Sequence, residues 1–402
     1  MKIGIIHLRL SHKGGADNLV VWAASGLRRR GHAVSLLTCA YDEALWPREL
    51  LAGVEVRLLR PPLSWLRSAR LRLEFLACAL RRRLRGLDVA LCHSGLTHVW
   101  FARAKGARAD FPRAAWFCHD LHPRLHWREA SPRLHAYATN SPAPGRNAHL
   151  LAEAERLRRA AARRANDRST TRKARWDAEA LAAMDAVLVN SRFAGENFAR
   201  AYARAAEVCY PGIPLPVGAR GSPARRDYVC VVSRLAPKKN VQNVIEALDI
   251  LVNRWGLRGL HLKIAGTGSD RPALEALVAR HRLGERVSFL GLVPDGDLPW
   301  VYRGARLAVY VPVDEPFGLV PLEAMACETP AIVSDHGGVS ESVVHGETGL
   351  HVDPFDPEAI ASAIRELWDD EARRSAMGAR GAARVQEHFG LDSFLDRLEA
   401  RL

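Results

Sequence analysis

The chain has 402 residues, 48% of them hydrophobic and 25% charged, which excludes wholesale disorder and points to two domains of similar size rather than one core. The formal net charge of +14 favours anionic partners (phosphorylated small molecules, acidic lipid surfaces or nucleic acid), while heavy Arg usage along the whole chain explains the same number as compositional bias. The seven cysteines, odd in number and without C-x-x-C spacing, exclude a disulfide scaffold and suit a reducing, cytoplasmic compartment.

The chain opens directly on a strand pattern, Ile3–His7, without the basic region, apolar core and cleavage site of a signal peptide. No apolar run is long enough to span a bilayer, so membrane association is expected to be peripheral, on the cytoplasmic face. Further strands are expected at Ala33–Leu37, Val54–Leu58, Val89–Cys92, Ala114–Phe117, Ala186–Val189 and Glu207–Cys209, with a helix over Asp17–Arg30 that Gly31 ends. Continuous apolar strands separated by helices indicate a parallel sheet covered on both faces.

Within this half, Trp65–Arg85 carries Leu66, Ala69, Leu73, Leu76, Leu80 and Leu84 at helical spacing, surrounded by Arg67, Arg70, Arg72, Arg81, Arg82 and Arg85. A basic amphipathic helix of this kind suits an anionic membrane surface, and it equally suits packing on the sheet. The basic run Arg156–Arg175 has the same two readings. Residues 120–147, rich in His, Pro and Arg, lack a regular pattern and read as a long surface insertion.

The Pro/Gly cluster that begins at Pro211 and continues through Gly218, Gly221 and Pro223 is the linker candidate, residues 211–226. Beyond it the pattern repeats. Strands are expected at Tyr228–Val232, His261–Ala265, Val287–Leu290, Leu307–Val311 and Ala331–Ser334, and helices at Val241–Val252, Arg271–His281, Leu298–Gly304, Val320–Cys327 and Pro357–Trp368. Two doubly wound sheets in tandem imply a cleft between them. Ligands bind such sheets at the carboxyl ends of strands, so the residues just after strands are the candidates.

Five constellations occupy such positions. Ser233–Asn240 follows a strand and opens a helix, so Arg234, Lys238 and Lys239 meet a helix N-terminus, the usual seat of a phosphate. Glu315 and Glu323 are separated by seven residues, one in the loop after a strand and one inside the next helix. A carboxylate suits a diol because each oxygen accepts from a hydroxyl. Between them Gly318 lets backbone amides approach a ligand, and Gly337-Gly338 with Glu341 does the same after the next strand. Gly14-Gly15 lies between the first strand and first helix, and His119 ends a strand. Two decoys stand beside them. Asp295-Gly296-Asp297 looks like a metal-binding D-x-D, yet Asp297 reads better as a helix N-cap, and no metal is expected. Gly266-Thr267-Gly268 lacks the third glycine of a dinucleotide loop and reads as a strand–helix turn.

In combined order and spacing, Arg234 with Lys239, Glu315 with Glu323, and Gly337-Gly338 with Glu341 resemble the family 4 retaining glycosyltransferases (glycosyltransferase group 1). Gly14-Gly15, Asn190–Phe193 and Tyr210–Gly212 extend the resemblance over nearly the whole chain. It implies the GT-B architecture, two Rossmann-like doubly wound α/β domains facing each other across a cleft. The boundaries would be an acceptor domain over 1–210, the linker 211–226, a donor domain over 227–388, and a last helix over 389–402 crossing back.

The resemblance also implies roles. Arg234 and Lys239 would hold the diphosphate of a UDP- or GDP-sugar, Glu323 the ribose, and Glu315 with the amides of Phe317, Gly318 and Leu319 the transferred hexose. His119 would meet that sugar, and Gly14 and Gly15 the phosphates. The expected reaction is retaining transfer of a mannose- or glucose-type hexose to a glycan or lipid-linked acceptor, with no added cofactor. The rival readings are another nucleotide-sugar enzyme, such as a sucrose-type synthase or an epimerase, and a nucleic-acid binder, which the absence of zinc-finger or RNP-type patterns disfavours. Two departures stand out: Asp17, where Glu is common, and Asn240, where Gly is common.

Overall fold

The computed structural model describes residues 1–59, 69–93, 95–106, 108, 110–122, 125–140, 147–165, 168–216 and 228–402. They form two compact units, one of Met1–Ala130, Leu157–Pro214 and Leu391–Leu402, the other of Ser131–Arg156 and Leu215–Gly390. Residues 131–156 therefore cluster with the second unit, whereas their position in the sequence groups them with the first. Of the linker 211–226, residues 217–226 lie outside the described residues.

The first unit holds a seven-stranded sheet of β1 (Lys2–His7), β2 (Ala33–Thr38), β3 (Glu55–Leu58), β4 (Val89–His93), β5 (Arg113–Cys118), β6 (Ala186–Val189) and β7 (Glu207–Val208), in the order β3-β2-β1-β4-β5-β6-β7. Every pairing is parallel. Ile3, Ile5, Ile6, Leu36, Leu37 and Leu91 are fully buried, as a sheet covered on both faces requires. The helix Gly15–Arg29 buries Leu19, Val20, Ala23, Ala24 and Leu27 at helical spacing. Its Gly26 admits the last helix, Leu391–Glu399, because a Cβ there would lie 2.4 Å from Leu395. Arg30 fastens the same helix through Asp396 at 2.6 Å and Glu399 at 2.8 Å. Beyond the sheet, the buried Asp177 carboxylate is satisfied by His126 at 3.1 Å and the Tyr202 hydroxyl at 2.7 Å, with His98 Nε2 3.0 Å away.

The second unit holds a six-stranded parallel sheet of β8 (Tyr228–Val232), β9 (His261–Ala265), β10 (Val287–Gly291), β11 (Ala305–Tyr310), β12 (Ala331–Ser334) and β13 (Gly349–Val352), in the order β10-β9-β8-β11-β12-β13. Order reverses between β1 and β4 in the first sheet and between β8 and β11 in the second, so each sheet has a switch point. The loops that follow β8 and β11 are those of Arg234–Lys239 and Glu315.

The structure departs from the sequence reading in two places. Residues 120–147 are not a patternless insertion, since they carry the helices Trp127–Ala130 and Pro132–Asn140. Strand β13 and the helix Glu371–His388 have no counterpart in the sequence reading. That helix hides its buried stripe in Gly378 and Gly381, which let it approach Glu328 and Met325. Of the two readings of the leucine stripe, packing on the sheet is the one seen: Leu76, Leu80 and Leu84 join Ile6 and Leu37 in one buried cluster, and Leu73 is buried against Val99 and Ala180. The exposed apolar side chains are instead Leu71 and Phe75, with Arg70, Arg72, Arg82 and Arg85 exposed around them. Residues 65–68 of that segment lie outside the described residues.

Candidate active site

In the second unit, β8 delivers its chain into a loop braced from below. Gly266 and Gly268 come so close that a Cβ at either would lie within 2.0 Å of the Ser233 or Leu235 carbonyl oxygen. Leu235 N–H also donates to the Thr267 carbonyl at 2.8 Å. The glycine pair thus supports the Arg234–Lys239 loop and is a packing device. A single turn, Pro237–Lys239, follows, and Asn240 sits at φ +59 before the helix Val241–Asp249. Asn is among the few non-glycine residues that accept this left-handed backbone, which accounts for its presence where Gly is common. Its buried amide donates to the Val311 and Pro354 carbonyls at 3.0 and 2.7 Å.

This turn carries Lys239 to Glu315. The Lys239 ammonium lies 2.6 Å from Glu315 Oε2 and donates to the Tyr310 hydroxyl at 2.9 Å. The two side chains are only 17% and 18% exposed. Burial would raise the Glu315 carboxyl, but the charge and hydrogen bond of Lys239, with Lys238 and Arg234 behind, outweigh it and hold the group below its ordinary value. Burial would likewise depress Lys239, and Glu315 outweighs that, leaving the ammonium raised. Arg234 is exposed and within electrostatic reach of Glu315.

Glu323 lies in the helix Val320–Ala326, and its Oε2 accepts from the Tyr302 hydroxyl at 2.8 Å. Burial raises its carboxyl, and the Tyr302 hydrogen bond opposes the rise. Glu315 and Glu323 both lie within electrostatic reach of the buried Tyr310 hydroxyl, which Lys239 also meets, so three of the four predicted donor residues act on one tyrosine while Arg234 acts on Glu315. The loop between the glutamates needs Gly318, at φ +84, where a Cβ would meet Tyr310 at 2.9 Å. Phe317 is buried against Phe389, which leaves its backbone rather than its ring to face a ligand beside Leu319. Gly337, at φ +83, and Gly338 pack on the Glu315 carbonyl, which accepts the Gly338 N–H at 2.8 Å.

Asp297 stands at the N-cap position of Leu298–Gly304, but its side chain makes no capping hydrogen bond, contrary to the role expected of it. Both aspartates of the D-x-D are exposed, and the described residues contain no group of three His, Cys, Asp or Glu side chains arranged to hold a metal.

The first unit gathers histidines at the carboxyl ends of its central strands. Gly14 precedes the helix Gly15–Arg29, and its carbonyl accepts the Asn18 N–H at 2.9 Å. Asp17 turns back to His7, at the end of β1, with 2.9 Å between Oδ1 and Nε2. At the ends of β4 and β5, His93 Nδ1 lies 2.8 Å from His119 Nε2, and Asn190 donates to the His119 carbonyl at 2.8 Å. Burial, with His7 nearby, lowers His119 to about 3, and burial with His119 and His7 depresses His93 as well. Both rings are neutral near pH 7. The unit therefore offers hydrogen-bonding groups and helix amides, where the other offers charge.

The profile described as Glycosyltransferase Family 4 matches residues 13–216, just over half of the 402 residues. The chain belongs to glycosyltransferase family 4. A second profile, described as Glycosyl transferases group 1, matches residues 218–384. Among similar proteins, the O-antigen chain mannosyltransferase B of Escherichia coli is 33% identical over 44% of this chain and 46% of its own length. The alpha-1,3/1,6-mannosyltransferase of Mus musculus is 30% identical over 53% of this chain and 57% of its own. The D-inositol 3-phosphate glycosyltransferase of Corynebacterium glutamicum is 38% identical over 39% of each chain. The chain thus matches these relatives over roughly half of their length or less. Among solved structures, Anabaena HepE in complex with UDP and glucose aligns with 100% of this chain and 98% of its own at TM-score 0.73 and 21% identity. The sucrose-phosphate synthase of Thermosynechococcus elongatus aligns over 99% and 97% at TM-score 0.75 and 23% identity. Their likeness establishes the GT-B fold type. Beside the predicted residues stand four that motif spacing does not mark: Tyr302 against Glu323, Tyr310 against Lys239, His93 against His119, and Asp314 next to Glu315 in sequence.

Proposed function

We propose that this glycosyltransferase moves a hexose, of mannose or glucose type, from a UDP- or GDP-sugar to a glycan or lipid-linked acceptor with retention of configuration. The observation that supports it most is the Lys239–Glu315 pair at the switch point of the second sheet, with Glu323 in electrostatic reach of the Tyr310 that Lys239 meets and Arg234 in reach of Glu315. In this reading Arg234 and Lys239 neutralise the diphosphate as it leaves, and Glu323 accepts from the ribose hydroxyls. Glu315, with the amides of Phe317, Gly318 and Leu319, holds the sugar. His119, as a neutral imidazole, hydrogen-bonds a sugar hydroxyl, and Gly14 and Gly15 turn amides toward the phosphates. The acceptor hydroxyl attacks on the face from which the diphosphate departs, and a phosphate oxygen takes its proton, so the protein contributes position and charge. No metal and no added cofactor enter the reading.

Thermal shift and calorimetry with UDP, GDP, UDP-glucose and GDP-mannose test it. One base series is expected to stabilise the protein and the other, with duplex DNA, to leave it unchanged. Indifference to all four nucleotides sinks the assignment. The anomeric configuration of the product, read by NMR, tests retention, and undiminished turnover in EDTA tests the metal-free reading.

Peripheral membrane contact belongs to the same proposal. No helix among the described residues is long and apolar enough to cross a membrane. Leu71 and Phe75, 55% and 44% exposed among arginines, are the groups that would enter the interface of an anionic leaflet. Flotation with phosphatidylglycerol vesicles is expected to fall about tenfold on Leu71→Asp with Phe75→Asp, taking ~0.7 kcal/mol lost per side chain. Equal flotation of the variant contradicts this surface.

A further inference from the structure

Residues 131–156 belong to the second unit, and several of their polar contacts reach loops at the carboxyl ends of its strands. Ser131 accepts from Lys238, beside Lys239, at 3.0 Å. The helix Pro132–Asn140 starts on Asp314, whose carboxylate accepts the Arg133 and Leu134 N–H groups at 3.1 and 2.8 Å. The Arg133 guanidinium pairs with Asp335 and with Asp353, and lies against the rings of His336 and Phe355. Asn147 donates to the Phe355 carbonyl at 2.9 Å, and His149 meets Asn240 at 2.9 Å. The segment therefore touches the loops after β8, β11, β12 and β13.

Asp314 is where this docking meets the chemistry. It is fully buried, and its backbone is left-handed at φ +53, a conformation that Asp tolerates but that few residues adopt. A buried carboxylate needs partners, and the helix N-terminus supplies two N–H donors and a favourable dipole end. Its own N–H donates to His336 Nε2 at 3.3 Å, and Asp335 accepts from His336 Nδ1 at 3.1 Å. The next residue is Glu315, whose carbonyl is already fixed by Gly338. Without the helix, the Asp314 carboxylate has no reason to stay buried. Relaxing its φ rotates the Asp314–Glu315 peptide and withdraws the Glu315 carboxylate from Lys239.

We propose that Asp314 is a positioning residue of the donor site, through which the docked helix Pro132–Asn140 fixes the backbone that carries Glu315. The inference rests on the proposed function, because it gives Glu315 a ligand to hold. Calorimetry on the full chain with UDP-glucose and GDP-mannose separates the two. If the wild type binds neither, the functional reading fails and no variant needs to be made. If it binds one, Asp314→Ala is expected to weaken that binding at least tenfold. Asp314→Asn, which keeps an acceptor and tolerates the left-handed backbone, stays within threefold. Should the alanine variant not fold, Asp314→Gly is measured in its place with the same expectation, since glycine keeps the conformation accessible without holding it. Binding by the alanine or glycine variant within twofold of wild type overturns the proposal. A double-mutant cycle with Glu315→Ala separates positioning from plain scaffolding. Once Asp314 is replaced, loss of Glu315 is expected to cost little more, whereas full additivity of the two losses overturns the proposal too.

Discussion

The two units have the same sheet logic but furnish their switch points with opposite chemistry. After β8 and β11 the second unit sets Lys239 against Glu315, with Arg234 and Lys238 adding charge. At the carboxyl ends of β1, β4 and β5 the first unit sets His7, His93 and His119, and burial keeps the last two neutral near pH 7. A leaving diphosphate needs fixed charge that does not depend on pH. A sugar hydroxyl needs a hydrogen-bonding partner that carries no charge of its own. The difference teaches that a GT-B chain can divide electrostatics and hydrogen bonding between its two halves, and each half can be attacked separately.

The sharpest break is at Lys239. Lys239→Ala removes the cation that holds Glu315 ionised and leaves that carboxylate, 18% exposed, facing only Arg234 and Lys238. Truncating one member of a largely buried pair strands the other. A fall of about 100-fold in kcat/KM for the nucleotide sugar is expected, equivalent to ~2.7 kcal/mol of transition-state stabilisation. His119→Ala, which removes a neutral group, is expected to fall by less. If the two variants are equally impaired, the contrast between a charged and an uncharged half is wrong.

A smaller effect sharpens the charged half. Burial raises Glu323, and the Tyr302 hydroxyl holds that rise in check. In the proposed reading ribose hydroxyls donate to the ionised carboxylate, so donor affinity should fall as pH drops through the raised value. Tyr302→Phe removes the opposing hydrogen bond, and the acid limb of donor affinity is expected to move to higher pH, with the loss growing as pH falls and little change at pH 8. Titration of Kd against pH decides it, and an unmoved limb removes Tyr302 from the donor site.

Legibility followed the same division. Strands Ala186–Val189, Tyr228–Val232, His261–Ala265 and Ala331–Ser334 fall where the apolar runs put them, because buried parallel strands advertise themselves as unbroken runs. Arg234, Lys239, Glu315 and Glu323 were legible because loop and helix spacing fixes where they stand. The partners were not. Tyr302 and Tyr310 sit in ordinary helix and strand positions, and nothing local distinguishes a tyrosine that meets a carboxylate across 21 residues from one that fills a core. The segment 131–156 groups with the first half in sequence and with the second unit in space, because its polar contacts, Arg133 to Asp335 and Asp353 above all, join positions some 200 residues apart, and periodicity carries no record of them. Gly378 and Gly381 hid a helix face, since the rule that finds helices counts side chains and these positions pack by having none.

The last and smallest test is on stability, and it bears on whether the imidazoles of the first unit are held neutral. His93 is fully buried and depressed well below 6.5 by burial and by its two histidine neighbours. Its folded value lies below its unfolded one, so between the two values the unfolded chain binds a proton that the native protein excludes. Stability from this group is therefore complete above about pH 6.5 and is lost as pH falls through that window, and His119 adds a like loss down to about 3. The Asp177 carboxyl is also shifted down, held low by His126 and His98 against burial, and its contribution is lost only as pH falls below the ordinary carboxylate value of 3.8. The range between pH 6.5 and 4.5 therefore lies above the Asp177 window. His93→Gln keeps a hydrogen-bonding group beside His119 without a titrating one, so urea unfolding between pH 6.5 and 4.5 should show a shallower decline, by up to about 1.4 kcal/mol per pH unit. A decline as steep as the wild type's means that His93 takes up its proton in the native state. The first unit would then carry charge after all, and the contrast with the Lys239–Glu315 pair would lose its footing.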